Sequence, residues 1–293
     1  MAQIHHFEHG WLTPTLSYTL SVLGSLLGLV CAGRLRTAPS AGWRTWWLTL
    51  AAVAIGGTGI WTMHFVAMLC FSVVGLPIRY DVPVTALSAI IAIGAVAIGL
   101  YIAAQGTKVH GVRIVIGGLF AGLGVAAMHF TGMWAMDLDG TINYETSRVI
   151  AAVIIAVVAA TVALWLAMTV RRPLAVLVSA LVMGIAVNGM HFMGMSAMSV
   201  EEGTSGGSLS GATASTLLIP IGLTVIFGVL GLIYALMAAP TEEDRAAAAY
   251  LEARLDRNDD DDLYEPAPPP QGPNGRRMPT GGASWTFRDR AGQ

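Results

Sequence analysis

The chain has 293 residues, 55% of them hydrophobic and 12% charged, with a formal net charge of −2. So few charges exclude a pair of ordinary soluble domains, and the lack of a basic field excludes nucleic acid as a partner. Over most of its length the chain is expected to have lipid as its solvent.

Residues 1–10, "MAQIHHFEHG", lack the basic residues that open a secretory signal peptide, so the apolar stretch that follows is expected to stay in the mature protein. Their His5, His6 and His9 read first as a flexible extracytoplasmic terminus, and second as a further metal site or a lid. Apolar stretches then cover residues 11–33, 46–70, 82–104, 112–136, 148–170, 174–198 and 214–238. Each is close to the ~20 residues that cross a bilayer as a helix. Strand-length alternation is absent, and backbone groups in lipid must be satisfied within the segment, so all are predicted as helices. The fold class is therefore all-α, a polytopic membrane protein with seven transmembrane helices.

The loops alternate in charge. Arg34, Arg36 and Arg44 follow the first stretch, Lys108 and Arg113 the third, Arg171 and Arg172 the fifth. The other loops are neutral or acidic: Arg79 with Asp81, then Asp137, Asp139 and Glu145, then Glu201 and Glu202. Positive loops stay cytoplasmic, so the N-terminus is expected outside and the C-terminus inside. Trp11 and Trp134 then mark the outer interface, and Trp43, Trp46 and Trp47 the inner one. Cys31 and Cys70 have no ligand spacing and read as small apolar filler. Residues 239–293 are expected as a cytoplasmic tail, a short helix followed by an acidic, Pro- and Gly-rich run that does not fold alone and leaves no room for a catalytic domain.

Within the spans one phrase recurs: "TMHFVAM" at 62–68, "AMHFTGM" at 127–133 and "GMHFMGM" at 189–195. His64, His129 and His191 are 65 and 62 residues apart, one pair of spanning helices per repeat. Three two-helix repeats plus one extra helix follow, with the histidines at one depth, about two turns below the outer surface, and a pseudo-threefold axis along the membrane normal. The positions around each histidine also recur. Met63, Met128 and Met190 precede it, Phe65, Phe130 and Phe192 follow it, and Met68, Met133 and Met195 lie four residues on. Gly57, Gly122 and Gly184 lie seven residues before it. Offsets of four and seven share a helix face, so each even helix is expected to carry glycine for close packing, then histidine, then methionine along one stripe. Met136 and Met198 extend two of the stripes. The phenylalanines, about 100° round the helix, are expected to be structural.

Imidazole inside a bilayer faces the bundle interior and marks function. Thioether sulfur suits Cu(I) and imidazole accepts either copper state, so the constellation points to copper. Methionine at helical spacing is more often packing than ligand, and a histidine can simply bond across helices. The coincidence in three copies favours the metal. Tyr80-Asp81 and Tyr144-Glu145 recur some sixteen residues after their histidines. They read as helix caps, or as carboxylates backing a ligand histidine. No nucleophile–base pair or paired intramembrane carboxylate is present, so no enzyme is expected.

These residues resemble the MHYT domain, a bacterial integral-membrane sensor module named for a Met-His-Tyr-Thr motif in alternate helices. "MHFTGM" at 128–133 is nearest the pattern, with Phe130 in the tyrosine position, while Val66 and Met193 replace threonine in the other copies. The resemblance covers about residues 11–238 and implies a plasma-membrane protein that binds copper through the motif residues and senses oxygen, carbon monoxide or nitric oxide. Relatives of this kind often carry cyclic-di-GMP or DNA-binding output domains. None is read here, so a signalling partner or a copper-acceptor protein is expected. Copper transport, delivery or storage is the alternative, and a haem protein with His/Met ligation a more distant one.

Overall fold

The computed structural model describes residues 4–5, 10–69, 71–106, 111–202 and 209–238, and scattered positions between 244 and 255. The chain divides into two units, Met1–Ala238 and Ala239–Gln293. In the second unit the described positions are helical and exposed, and the acidic and proline-rich run lies outside the described residues.

Among the described residues, seven helices are long and apolar enough to cross a membrane. They are α1 (Leu12–Arg36), α2 (Ala41–Leu69), α3 (Val82–Ala103), α4 (Gly111–Trp134), α5 (Thr146–Thr169), α6 (Pro173–Ser196) and α7 (Ala214–Ala238). Local chemistry sets their starts. Ser40 Oγ accepts from Trp43 N at 3.4 Å and begins α2. Asp81 Oδ1 accepts from Val84 N at 2.9 Å and begins α3, and Pro173 opens α6. The α2 start lies five residues before the expected 46, because the Ser40 cap sits upstream of the apolar run.

Consecutive helices pack side by side, and α6 returns to α1, so α1 to α6 form a closed ring. The even helices α2, α4 and α6 meet one another inside it, and α7 lies against α1 and α2 outside the repeat. This is the three-repeat-plus-one arrangement expected from the histidine spacing. Glycines make the contacts close. A Cβ on Gly24 would stand 2.2 Å from Gly59 N, one on Gly118 2.6 Å from Thr161 Cα, and one on Gly122 2.4 Å from Val157 Cα. Small residues let backbones approach where lipid offers no hydrophobic drive for helix association.

The α2 helix is not uniform. It is α-helical over Ala41–Ala52, π-wound over Val53–Thr62 and α-helical again over Met63–Leu69. Thr62 Oγ1 donates to Gly57 O, five residues back, at 3.0 Å. Wide turns of this kind shift the phase of whatever follows, and they collect at functional positions. Here the phase shift ends at Met63-His64.

Arginines close the helix ends opposite the strands. Arg36 donates through both terminal nitrogens, to Ala167 O and Val170 O at 2.7 Å each, covering the last carbonyls of α5. Arg44 does the same for Ala104 O at 2.9 Å, after α3. These charge-assisted bonds satisfy carbonyls that a helix end leaves open. Arg36→Ala is expected to lower stability by about 1–3 kcal/mol, read as a drop in melting temperature in detergent, with Arg36→Lys recovering only part of it.

At the other end, short antiparallel strands join the start of each two-helix repeat to its end. β1 (Ile4–His5) pairs with β2 (Ser72–Val73), β3 (Arg79–Tyr80) with β4 (Met136–Asp137), and β5 (Gly140–Tyr144) with β6 (Met198–Glu202). Tyr80 stands opposite Met136 and Tyr144 opposite Met198. Asp81 N donates to Ala135 O and Glu145 N to Ala197 O, both at 2.8 Å. The recurring Tyr-acid pairs therefore form a repeated clasp over the even helices.

Candidate metal centre

His64, His129 and His191 come from three even helices and meet at the centre of the ring. Each is at most 1% exposed. Their ring centroids form a near-equilateral triangle of 4.8, 5.1 and 5.2 Å, with every pair edge-on. His64 Nδ1 lies 3.0 Å from His191 Nδ1 and 3.1 Å from His129 Nδ1. One ligand atom from each ring lies within 4.8 Å of the others.

Two facing imidazole nitrogens at 3 Å need a proton or a cation between them. His64 Nδ1 stands in both contacts, so one proton on it cannot serve both partners at full strength. The Nε2 atoms of His64 and His129 are buried without a hydrogen-bond partner among the described residues. Three nitrogens around one cation at ~2.0 Å would stand about 3.5 Å apart, and the three rings offer atoms within 4.8 Å of one another, so the trio can hold a single ion once the rings shift about it.

The rings are held from behind. A Cβ on Gly132 would stand 2.3 Å from His64 Nε2, and one on Gly194 would stand 2.1 Å from His129 Nε2. Each glycine lies three residues after the histidine of its own helix and receives the ring of the preceding repeat. The first copy carries Ala67 at that offset. The Ala67, Gly132, Gly194 series is legible in the repeat, but its meaning depends on which helix follows which. Each histidine also meets the phenylalanine beside it edge-on, at 5.1 Å in all three copies.

The methionines are buried, at 0% to 3% exposure, on the same helices: Met68, Met133 and Met195 one turn beyond the histidines, Met63, Met128 and Met190 beside them. Tyr80 Oη donates to Met68 O at 3.0 Å and so holds the turn after His64. Tyr80→Phe removes one of that carbonyl's two donors, Phe71 N at 3.0 Å remaining, and is expected to cost about 0.5–1.5 kcal/mol, measured by thermal or denaturant melting.

The carboxylates do not face the histidines. Asp81 caps α3, while Glu145 pairs with Arg148 at 2.7 Å and accepts from Ser147 at 2.6 Å, all at exposed positions. The helix-start reading of these acids describes them, since a first-turn acid stabilises the N-terminal dipole from the surface. Tyr144 meets Phe130 edge-on at 6.1 Å, and partial burial raises its phenol pKa.

Among the packing glycines, Gly122 lies on α5 as expected and Gly184 meets the Val22 and Tyr18 side chains of α1. Gly57 does not make the corresponding contact. The π turns move that duty to Gly56, whose Cβ would stand 2.8 Å from Ala92 O, whereas Gly57 has only side-chain neighbours at 3.6 Å and beyond. Trp47 also departs from the interfacial belt: it is 1% exposed, under the Arg34 guanidinium at 5.6 Å and stacked on Trp43. Cys31 is a buried free thiol, and Cys70 lies outside the described residues. So do His6, His9 and the side chain of His5.

The ring of helices and its buried histidine trio define a multi-pass membrane protein built from internal repeats. The chain carries the MHYT repeat: residues 57–116 and 122–180 match that family, described as "Bacterial signalling protein N terminal repeat". It is 35% identical over 250 residues to the bifunctional diguanylate cyclase/cyclic di-GMP phosphodiesterase MucR of Pseudomonas aeruginosa, covering 82% of this chain and 36% of that protein. It is 37% identical over 166 residues to the cyclic di-GMP phosphodiesterase NbdA of the same organism, covering 54% and 21%. An uncharacterized signaling protein of Caulobacter vibrioides is 36% identical over 200 residues, covering 64% and 23%. The chain thus spans about a third or less of these relatives. No solved structure matches.

Proposed function

We propose that this chain is a copper-binding sensor in a bacterial plasma membrane, responding to a diatomic gas or to redox state and signalling through a partner protein. The observation that carries this reading is the meeting of three buried imidazoles, with ligand atoms within 4.8 Å of one another and His64 Nδ1 at 3.0 and 3.1 Å from the other two Nδ1 atoms, a donor set for one soft or borderline ion. His64, His129 and His191 would hold the copper, with Met68, Met133 and Met195 as auxiliary ligands. The metal would supply a redox centre and an open coordination position. No enzymatic step is assigned to this chain. The charge asymmetry of the loops supports placing the clasped end outside the cell.

Apolar space near the trio supports the gas reading. Ile60, Val125 and Val187 lie one turn below the three histidines and line two small apolar cavities of about 40 Å³ each. A neutral diatomic molecule is at home in such space, and water is not. The test is spectroscopic. Copper-loaded protein should change its visible or electron paramagnetic resonance spectrum with nitric oxide, carbon monoxide or oxygen. A spectrum indifferent to all three, with copper passing readily to an acceptor protein, would instead establish copper handling.

A further inference from the structure

The α1 helix turns four hydroxyls inward at four-residue spacing, Thr13, Ser17, Ser21 and Ser25, all at most 2% exposed. Hydroxyls on its outer face are satisfied by their own backbone: Thr15 Oγ1 donates to Trp11 O at 2.7 Å and Thr19 Oγ1 to Thr15 O at 2.8 Å. The inward ones differ. Ser21 Oγ donates to Gly59 O at 2.9 Å and accepts from Asn188 Nδ2 at 3.3 Å, while Thr13 Oγ1 and Ser17 Oγ have no partner among the described residues. A buried hydroxyl left unpaired is costly, and packing alone does not call for one here. The α5 helix fills its inward positions with buried Ala152 and Ala156, and on α3 the buried Ser88 is paired with both Trp61 and Thr85.

Register shows where the unpaired hydroxyls stand. α1 runs antiparallel to α2 and α6, and Ser21 touches Gly59 of one and Asn188 of the other. One turn is about 6 Å over four residues, so Ser17 lies level with Met63-His64 and with His191-Phe192. Thr13 lies a further turn toward the strand-bearing end. The file thus joins that end of the bundle to the level of the histidines.

We propose that Thr13 and Ser17 are the stations of an internal water path that reaches the histidine trio from the strand-bearing end, with Ser21 and Asn188 as its floor. Hydroxyls four residues apart are too distant to bond each other and suitably spaced for single waters between them. The path gives the trio contact with solvent that the apolar cavities below deny it, and it does so whether or not the trio holds a metal.

Radiolytic hydroxyl-radical labelling of the metal-free full chain in lipid nanodiscs, read by mass spectrometry, tests this, because radicals formed from internal water oxidise the side chains beside it. Met63, only 1% exposed, should be oxidised readily in the unmodified protein. Labelling should fall severalfold in the T13V/S17A variant and stay unchanged in T15V/T19V, which removes the outer hydroxyls. An unlabelled Met63, or equal labelling in T13V/S17A, overturns the path. The single S17A variant adds an independent reading. If Ser17 holds water, removing its hydroxyl leaves the melting temperature level or lower, whereas a dry unpaired hydroxyl gives a clear rise on removal.

Discussion

Alanine at Gly194 or Gly132 is expected to weaken copper binding by about 10–100-fold, the range typical when the groups that orient a ligand imidazole are disturbed. The added Cβ would lie 2.1 Å from His129 Nε2 in the first case and 2.3 Å from His64 Nε2 in the second. A ring so crowded must slide or rotate by more than an ångström, and its Nδ1 leaves the common centre. Helix propensity runs the other way, since alanine favours a helix over glycine by about 1 kcal/mol. The variants should therefore stay folded while losing the metal, which separates a site defect from a folding defect. Competitive titration against a copper chelator measures it. Ala67→Gly is the control, since that copy already tolerates a Cβ, and its affinity should stay close to that of the unmodified protein. Unchanged affinity in both glycine variants would mean that the rings do not bind with their Nε2 edges against these helices.

The second large effect is on stability. Gly24→Ala places a Cβ 2.2 Å from Gly59 N, 2.4 Å from Gly59 Cα and 2.6 Å from Ala54 O, all backbone atoms of α2. No side chain can swing aside, so α1 and α2 must part. The Ser21 bond to Gly59 O lies one turn away and is stretched by the same movement. A loss of about 1–3 kcal/mol is expected, as for overpacking in a close-packed core. Thermal melting in one detergent, with Gly33→Ala as a comparison where the nearest neighbour is an arginine side chain at 3.9 Å, checks it.

Much of the architecture was legible because a membrane leaves the chain few choices. Apolar length gave the spans, with ends such as 214–238 matching Ala214–Ala238 and 82–104 ending one residue past Ala103. The histidine interval gave the repeat, and helical phase brought the three rings to one level. Phase also marks where that reading stopped. A regular 3.6-residue period placed Gly57 on the contact face, and the π turns of Val53–Thr62 gave the face to Gly56 instead. Nothing in "VAIGGTGIWT" distinguishes a π segment from a glycine-rich α-helix. The clasps were hidden for another reason. Strands of two residues, such as Arg79–Tyr80, have no periodicity, and their pairing depends on which loops the ring brings together. Tyr80-Asp81 and Tyr144-Glu145 stood out as a repeat, yet only the assembled ends show each closing its own two-helix unit. The inward hydroxyls of α1 were hidden because Thr15 and Thr19 place the same groups on its outer face, so composition alone marks neither side.

In the proposed function three imidazoles from separate helices share one copper ion. The most direct test is the copper content of the purified full chain beside the His64→Ala/His129→Ala/His191→Ala variant, both shown folded by circular dichroism. Stoichiometric copper is expected in the first and none above background in the second. Copper retained by the variant, or absent from the unmodified chain after loading with Cu(I) or Cu(II), would contradict it.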